Sequence, residues 1–488
     1  MSESDKELDN SRRTEDVSVP VVENVPQPDP ETPEFKEGGF GWVVISAVFI
    51  LNAHTWGLNS SFAVFLAYYL KTNAFEASPL AYAFIGGLSI SIALLASPLA
   101  TTLVGWKRCG TRWTIFLGVI FETIGFLGSS FSYELWHILL SQGISFGFGM
   151  GLCFVASASV PPQWFTKRRS FANAIAASGS GFGGLCYSLA ANAMIARIGL
   201  PWTFRVLAII CFVVNGAAAF FIRDRNRDVG SVHLAFDWKL FRRPSFLLLE
   251  GWMVLSVIGY IILVFSIVAY CQAVGLSASE ASLVGALFNL AQGVGRPIIG
   301  LSSDSVGRLN VANLCTLFCG LCCLFLWTFG ARTLAACIVF ALLSGPAAGV
   351  MWATVAPICA EVVGLALIPS ALSLTWLVLV LPATFAEVIG LSLRGPGSWG
   401  FLHAQLFTAF MYIGAFVFGW CLRAWKVWEL EQAHLDKEQR ELAIRDNGVI
   451  PEVDEEEGEA GIERHVSRTP TVRQRISVLK GLWVIQRV

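Results

Sequence analysis

Residues 223–244, RDRNRDVGSVHLAFDWKLFRRP, form the long polar break in a chain that is otherwise apolar from Phe40 to Trp425. Six hydrophobic segments precede the break, at 40–69, 80–104, 113–131, 135–160, 171–195 and 203–222. Six follow it, at 246–273, 282–302, 311–329, 334–356, 367–393 and 401–425. Each is near or above the roughly 20 residues that carry a helix across a bilayer, with tilt absorbing the excess. The expected fold is all-α: a polytopic membrane protein with twelve transmembrane helices in two six-helix bundles. The predicted divisions are a disordered tail (1–36), a first bundle (37–222), the linker (223–244), a second bundle (245–425) and a C-terminal tail (426–488).

Composition agrees. Of 488 residues, 55% are hydrophobic and 14% charged, against about 25% charged in a soluble domain. The charges gather in the tails and the linker. A net charge of −1 and the lack of a basic stripe give no reason to expect a nucleic-acid partner. The N-terminal stretch is acidic and rich in Pro and Ser, without the apolar core of a signal peptide. In the C-terminal tail, 429–445 reads as a charged helix, 452–459 as an acidic run, and Arg464 to Ser467 as a candidate phosphorylation site. The twelve cysteines lie mostly in apolar runs; Cys319 and Cys322, beside Cys323, read as small packing residues. The six histidines have no metal-ligand spacing, and no nucleophile–base pair or phosphate-cradling glycine loop is present. An enzyme, a cofactor and a metal are not expected.

Orientation follows the excess of Lys and Arg in cytosolic loops. With both termini inside, the inner loops hold Lys107, Arg108, Arg112, Lys167, Arg168, Arg169, Arg308 and the arginines of the linker. The outer loops hold only Lys71, Arg197, Arg205, Arg332 and Arg394. The same inner loops carry a short internal repeat: Cys109-Gly-Thr-Arg112 in the first half, Asp304-Ser-Val-Gly307-Arg308 in the second. Asp304, Gly307 and Arg308 are expected to act in gating.

Polar groups inside spans are expensive and so mark functional or structural ties. The first span carries Asn52, His54, Asn59, Ser60 and Ser61; Asn52 and Asn59, seven apart, share a face. The eighth carries Asn289, Gln292 and Arg296 at spacings of three and four, on one face. This cluster reads either as a solute site or as an interhelical hydrogen-bond network. Elsewhere lie Glu122, Glu250 and Glu387. His54, Glu122 and Glu387 are the candidates for proton coupling, because Gln292 has no proton to release. In the fifth span Gly179 and Gly183, four apart, offer a face for close helix packing, either sliding or static.

Several motifs resemble the monocarboxylate porter family of the major facilitator superfamily. Glu37-Gly-Gly-Phe-Gly-Trp42 resembles its entry motif, and the run from Trp164 to Gly181 its second signature. Gly295-Arg-Pro-Ile-Ile-Gly300, followed by Asp304 and Gly307-Arg308, is similar to its eighth-helix and loop motif. His54 to Ser61 and Trp352 to Glu361 resemble the fungal branch, which is associated with riboflavin uptake or metabolite export. The resemblance covers Glu37 to Trp425 and implies two pseudo-symmetric bundles around a site open alternately to each side. It implies that Arg296 holds a substrate carboxylate. Two positions depart from animal members: Gln292 stands where they have an aspartate, and Ser60 where they have a lysine.

The combined reading is a monomeric secondary active transporter in the plasma membrane, moving a small organic solute by alternating access, with protons as a candidate coupling ion. Its substrate site is expected at Arg296, Gln292, Asn289, Asn59, Ser60 and His54. The alternatives are an efflux transporter for a secondary metabolite and a non-transporting nutrient sensor whose tail signals.

Overall fold

Helices make up nearly all the regular backbone in a computed structural model that describes residues 38–395 and 399–447, and no strand occurs among them. The N-terminal tail, Glu37 of the entry motif and the acidic and phosphorylation motifs beyond 447 lie outside the described residues. Ten continuous helical stretches are long and apolar enough to cross a membrane. They resolve into eleven spans: α1 (Phe40–Thr72), α2 (79–105), α3 (Gly110–Ser130), α4 (Leu135–Trp164), α5 (169–198), α6 (200–221), α7 (Pro244–Ala273), α9 (Arg308–Gly330), α10 (Leu334–Val363), α11 (Ile368–Ser392) and α12 (Leu402–Asn447). The stretch Arg169–Phe221 counts as two because it breaks at Gly199, whose φ of 76° is open to glycine, just before Pro201. The twelfth span is α8 (Ala278–Val306), 29 residues long but too polar to qualify by composition. Among the described residues, twelve long helices thus lie six before and six after the linker.

Local sequence explains the helix ends. Pro244 opens α7 at a position where no amide hydrogen is needed. Ser277 and Glu280 form a reciprocal capping box at the start of α8. Gly307, at φ 117°, turns α8 into α9. Most boundaries shift by a few residues, and the last shifts furthest. The last span does not stop at Trp425 but runs unbroken to Asn447, because the charged segment expected at 429–445 is itself helix-forming and no Gly or Pro separates the two.

Each half has apolar clusters of its own, and one cluster joins them. Ile90, Leu94, Leu152 and Val155 of α2 and α4 pack in a single core with residues of α7, α10 and α11. The linker adds to this seam. Val232 donates its amide to the Ala366 carbonyl (2.8 Å) and Leu234 donates to Ser370 Oγ (2.9 Å). On the other side, Arg225 donates its amide to Gln163 Oε1 (2.8 Å) and Trp164 Nε1 donates to the Arg223 carbonyl (2.8 Å). The linker is therefore a strap hydrogen-bonded to both halves.

Close backbone approach holds α1 against α5. A methyl group at Gly183 would fall on the Ala53 carbonyl, and one at Gly179 on the Phe49 carbonyl. The clash begins at the first carbon, so alanine is excluded along with larger residues.

Candidate functional site: a central cavity

Between the halves lies a cavity of about 1070 Å³ of atom-free space, part of it continuous with solvent. Helices α1, α2, α4 and α5 wall one side; α7, α8, α10 and α11 wall the other. Its lining is mainly apolar, with aromatic rings grouped on the wall. Trp56 of α1 meets Trp352 of α10 across the halves (ring centroids 5.6 Å). Trp352 stacks on Trp376 (5.7 Å), and Phe154 and Tyr260 pack around them.

Among the described residues Arg296 is the one cation of this wall, and it is buried. Its Nη1 donates to the Ala177 carbonyl (2.7 Å) and to Ser180 Oγ, and its Nη2 donates to Gln292 Oε1 (2.9 Å). Tyr260 OH donates to the same Gln292 oxygen (3.1 Å). No carboxylate of the described residues lies within ion-pair distance of Arg296, and its Nε has no partner. A buried guanidinium held only by neutral acceptors keeps most of its electrostatic appetite for an anion. The indole N–H groups of Trp56 and Trp376 are buried donors without partners as well. The protein supplies donors here and few acceptors.

The room for this arrangement comes from Gly349 of α10. A Cβ there would stand 2.8 Å from Arg296 Nη2 and 2.9 Å from Gln292 Oε1. Sequence reasoning missed Gly349, because one glycine among 45 carries no mark of its own. It also passed over Trp376 and Phe154, and took Trp56 only as part of the His54–Ser61 motif, since aromatic residues in an apolar span look like ordinary lipid or core contacts.

Of the expected substrate residues, Arg296, Asn59 and Ser60 line the cavity. Gln292 stands behind Arg296 and orients it. Asn289 does not line the cavity: it lies on the α5–α8 seam beside Gly184. His54 is not on the wall either. Its Nδ1 bonds the Ile50 carbonyl (2.8 Å) and its ring meets Tyr187 edge-on at 5.6 Å. The cause is helical phase: at about 100° per residue, position 54 lies some 200° from Asn52, which does line the wall. Glu122 sits inside the first half, fully buried, accepting from Asn215 Nδ2 (2.9 Å). Glu387, near the far end of α11, is neighbour to Arg394. The three coupling candidates thus all lie off the cavity wall.

Toward the strap, two turns beyond Arg296, the halves are latched. Asp304 accepts the amides of Ser170 (3.0 Å) and Phe171 (2.9 Å) at the start of α5. Arg308 bonds Asp304 (3.3 Å), Ser170 Oγ (3.1 Å), the Thr166 carbonyl (3.2 Å) and Glu361 of α10 (2.6 Å). Asn173 Nδ2 adds a bond to the Ala353 carbonyl (2.6 Å). Glu361 was read from the sequence only as the end of the Trp352–Glu361 motif and not as a gating residue, although a carboxylate closing an apolar span is a signal for it.

The comparisons with known proteins follow the same line. The model of the Major Facilitator Superfamily matches residues 44–386. "Probable transporter MCH2" of Saccharomyces cerevisiae is 32% identical over 398 residues, covering 80% of this chain and 84% of that protein. The "Fujikurins efflux protein" of Gibberella fujikuroi is 26% identical over 376 residues, covering 77% and 80%. The solved structure of the proton:xylose symporter XylE bound to 6-bromo-6-deoxy-D-glucose superposes with a TM-score of 0.60 at 14% identity, over 78% of this chain and 95% of that one, a likeness of fold alone.

Proposed function

The chain belongs to the major facilitator superfamily, and from that premise we propose that it is a secondary active transporter of a small organic solute carrying a carboxylate or another acceptor-rich group. The observation that carries this reading is the buried, carboxylate-free Arg296 on the wall of the central cavity. The solute's acidic end would meet Arg296, with Asn59 and Ser60 bonding its polar edge from α1. Its body would lie against Trp56, Trp352 and Trp376. A monocarboxylate or a riboflavin-like ring system fits those terms. Alternating access would proceed by release of the Asp304–Arg308–Glu361 latch and closure at the opposite end.

Proton coupling is the finer part of the proposal. Gln292 has no proton to give, so a coupled proton would act through a group off the wall, with His54, Glu122 and Glu387 as the groups to test. The protein would act as a monomer in the plasma membrane, with both termini in the cytosol.

The second reading, export of a secondary metabolite, draws on the aromatic wall and on the efflux named for the Gibberella fujikuroi relative. Uptake and release of labelled solutes, with and without an uncoupler, in cells lacking their own porters separates the two directions. Arg296→Ala should abolish transport while the protein still reaches the membrane. Arg296→Lys keeps the charge and loses the planar fork, and should reduce transport about tenfold or more. Near-normal transport by a well-expressed Arg296→Ala protein would refute the proposal and leave Arg296 a packing residue.

A further inference from the structure

A second cavity opens beside the strap, away from the solute site. It is bounded by the α2–α3 turn and the first residues of the linker, and holds about 2170 Å³ of atom-free space, much of it open to solvent. Lys107, Arg112, Arg223 and Arg227 line it against a single carboxylate, Asp224. None of the four makes an ion pair or side-chain hydrogen bond with a described residue; Arg223 has only the Phe40 ring, at 4.6 Å. Like charges gathered without counterions repel, and such a cluster persists where a ligand or solvent ions neutralise it.

A second observation points to a ligand. Four polar atoms on this wall are buried and unpartnered: Arg112 Nε, Thr111 Oγ1, Ser231 Oγ and His233 Nε2. Thr111 is only 2% exposed. Buried polar groups are nearly always bonded, and of these Arg112 Nε, Thr111 Oγ1 and Ser231 Oγ are able to donate to an acceptor.

The internal repeat sharpens the contrast. In the second half Arg308 is satisfied by Asp304, Glu361 and two groups of the first half. Its counterpart Arg112 makes no side-chain bond among the described residues, and the residue four before it is Arg108, where the second half has Asp304. The same turn therefore makes an internal latch in one half and part of a cluster of cations in the other.

We propose that this cavity binds a phosphate-bearing anion, held by Lys107, Arg112 and Arg227 with Thr111 and Ser231 as neutral donors. Phosphate suits a site of several converging donors, since it presents three or more acceptor oxygens to a carboxylate's two. Two sources share that chemistry: the headgroup of an anionic phospholipid, and a soluble organic phosphate. Trp106 and Trp113 flank the turn, 57% and 64% exposed, as indoles do at the membrane–water boundary. Because the strap forms one wall and is bonded to α11 through Val232 and Leu234, occupancy would tie the strap to the first half. The site is independent of the solute reading.

The test uses the full chain, purified in neutral detergent. Its thermal unfolding and bound mass are measured with phosphatidylcholine vesicles containing a phosphatidylinositol phosphate, with phosphatidylcholine alone, and with inositol hexakisphosphate. Binding to the doped vesicles only identifies a lipid headgroup; binding to inositol hexakisphosphate as well identifies a soluble phosphate. In either case Lys107→Gln/Arg112→Gln/Arg227→Gln should weaken half-saturation about tenfold or more. Arg227→Gln alone, exposed on the strap and without bearing on folding, should weaken it measurably. Lys239→Gln/Arg242→Gln/Arg243→Gln, which removes the same charge elsewhere in the linker, should leave it unchanged. Equal loss in that control, or no binding of either phosphate by the wild-type chain, would overturn the assignment.

Discussion

Replacing Gly349 with alanine adds one carbon where α10 faces the guanidinium of Arg296. The new Cβ would stand 2.8 Å from Nη2 and 2.9 Å from Gln292 Oε1, about 0.7 Å inside ordinary contact. Retreat is restricted: Arg296 is held by the Ala177 carbonyl and Ser180, and Gln292 by Tyr260. The easiest relief breaks the Arg296–Gln292 bond, a charge-assisted hydrogen bond worth about 1.5–3 kcal/mol. Only side-chain ends are met, so the protein should still fold and reach the membrane. Solute half-saturation should rise about tenfold to a hundredfold if orientation of Arg296 governs recognition. Gly345→Ala is the contrast: its Cβ meets the Phe288 carbonyl at 3.0 Å and Ala291 Cβ at 2.8 Å, so it should lower surface level instead. Labelled-solute transport normalised to surface biotinylation separates the effects. A Gly349→Ala protein with normal surface level and unchanged half-saturation would refute the orienting role of the Arg296–Gln292 pair.

The latch gives a second prediction: Asp304→Asn weakens the two bonds by which Asp304 holds the first half, from the Ser170 and Phe171 amides, and loosens its pair with Arg308, and should lengthen the spin-label distance between positions 166 and 361; an unchanged distance distribution would remove Asp304 from gating. Topology gives a third: tags at Asp228 and at both termini should be reached only after permeabilisation and a tag at 73–77 in intact cells, and the reverse pattern would invert the orientation. The strap gives a fourth. Burial lowers the pKa of His233 below its usual 6.5, opposed by the Ser231 carbonyl and by Asp224. Protonation thus favours the detached strap: attachment is complete above about 6.5 and weakens as pH falls through the lowered value. A spin label at exposed Leu234 should grow more mobile below that pH, and equally steep mobility in His233→Leu would assign the effect elsewhere.

The spans were legible because bilayer thickness sets a minimum length for every helix, and even polar α8 was found, expected at 282–302 and observed at Ala278–Val306. The join between α5 and α6 was legible as a turn, but not that a single glycine would make it with helix on both sides. At the cavity, Arg296 and Asn59 were readable because charge and amide groups in apolar spans stand out. His54 and Glu122 stood out equally and face the wrong way. Type reveals that a side chain needs a partner; helical phase and the neighbouring helix decide which. The aromatic wall was unreadable for the opposite reason: Trp56 and Trp376 differ from lipid-facing tryptophans only by position. The latch was half visible, since Asp304 and Arg308 lie together in sequence while Glu361 arrives from a helix some fifty residues on.

The polarity of α8 bears on how the protein is made. Ten helical stretches are apolar enough to enter a bilayer on their own composition; α8 is not, and a central arginine alone adds roughly 2.5–3.5 kcal/mol against entry. Its guanidinium finds acceptors on α5, already synthesised, and space at Gly349 on α10, still to come. On that order of synthesis the first bundle would offer α8 its acceptors, and α10 would close over it afterwards. Damage to the Ala177–Ser180 turn of α5 would then surface during biogenesis, as a chain whose later helices lie on the wrong side of the membrane, before any solute had been offered to it.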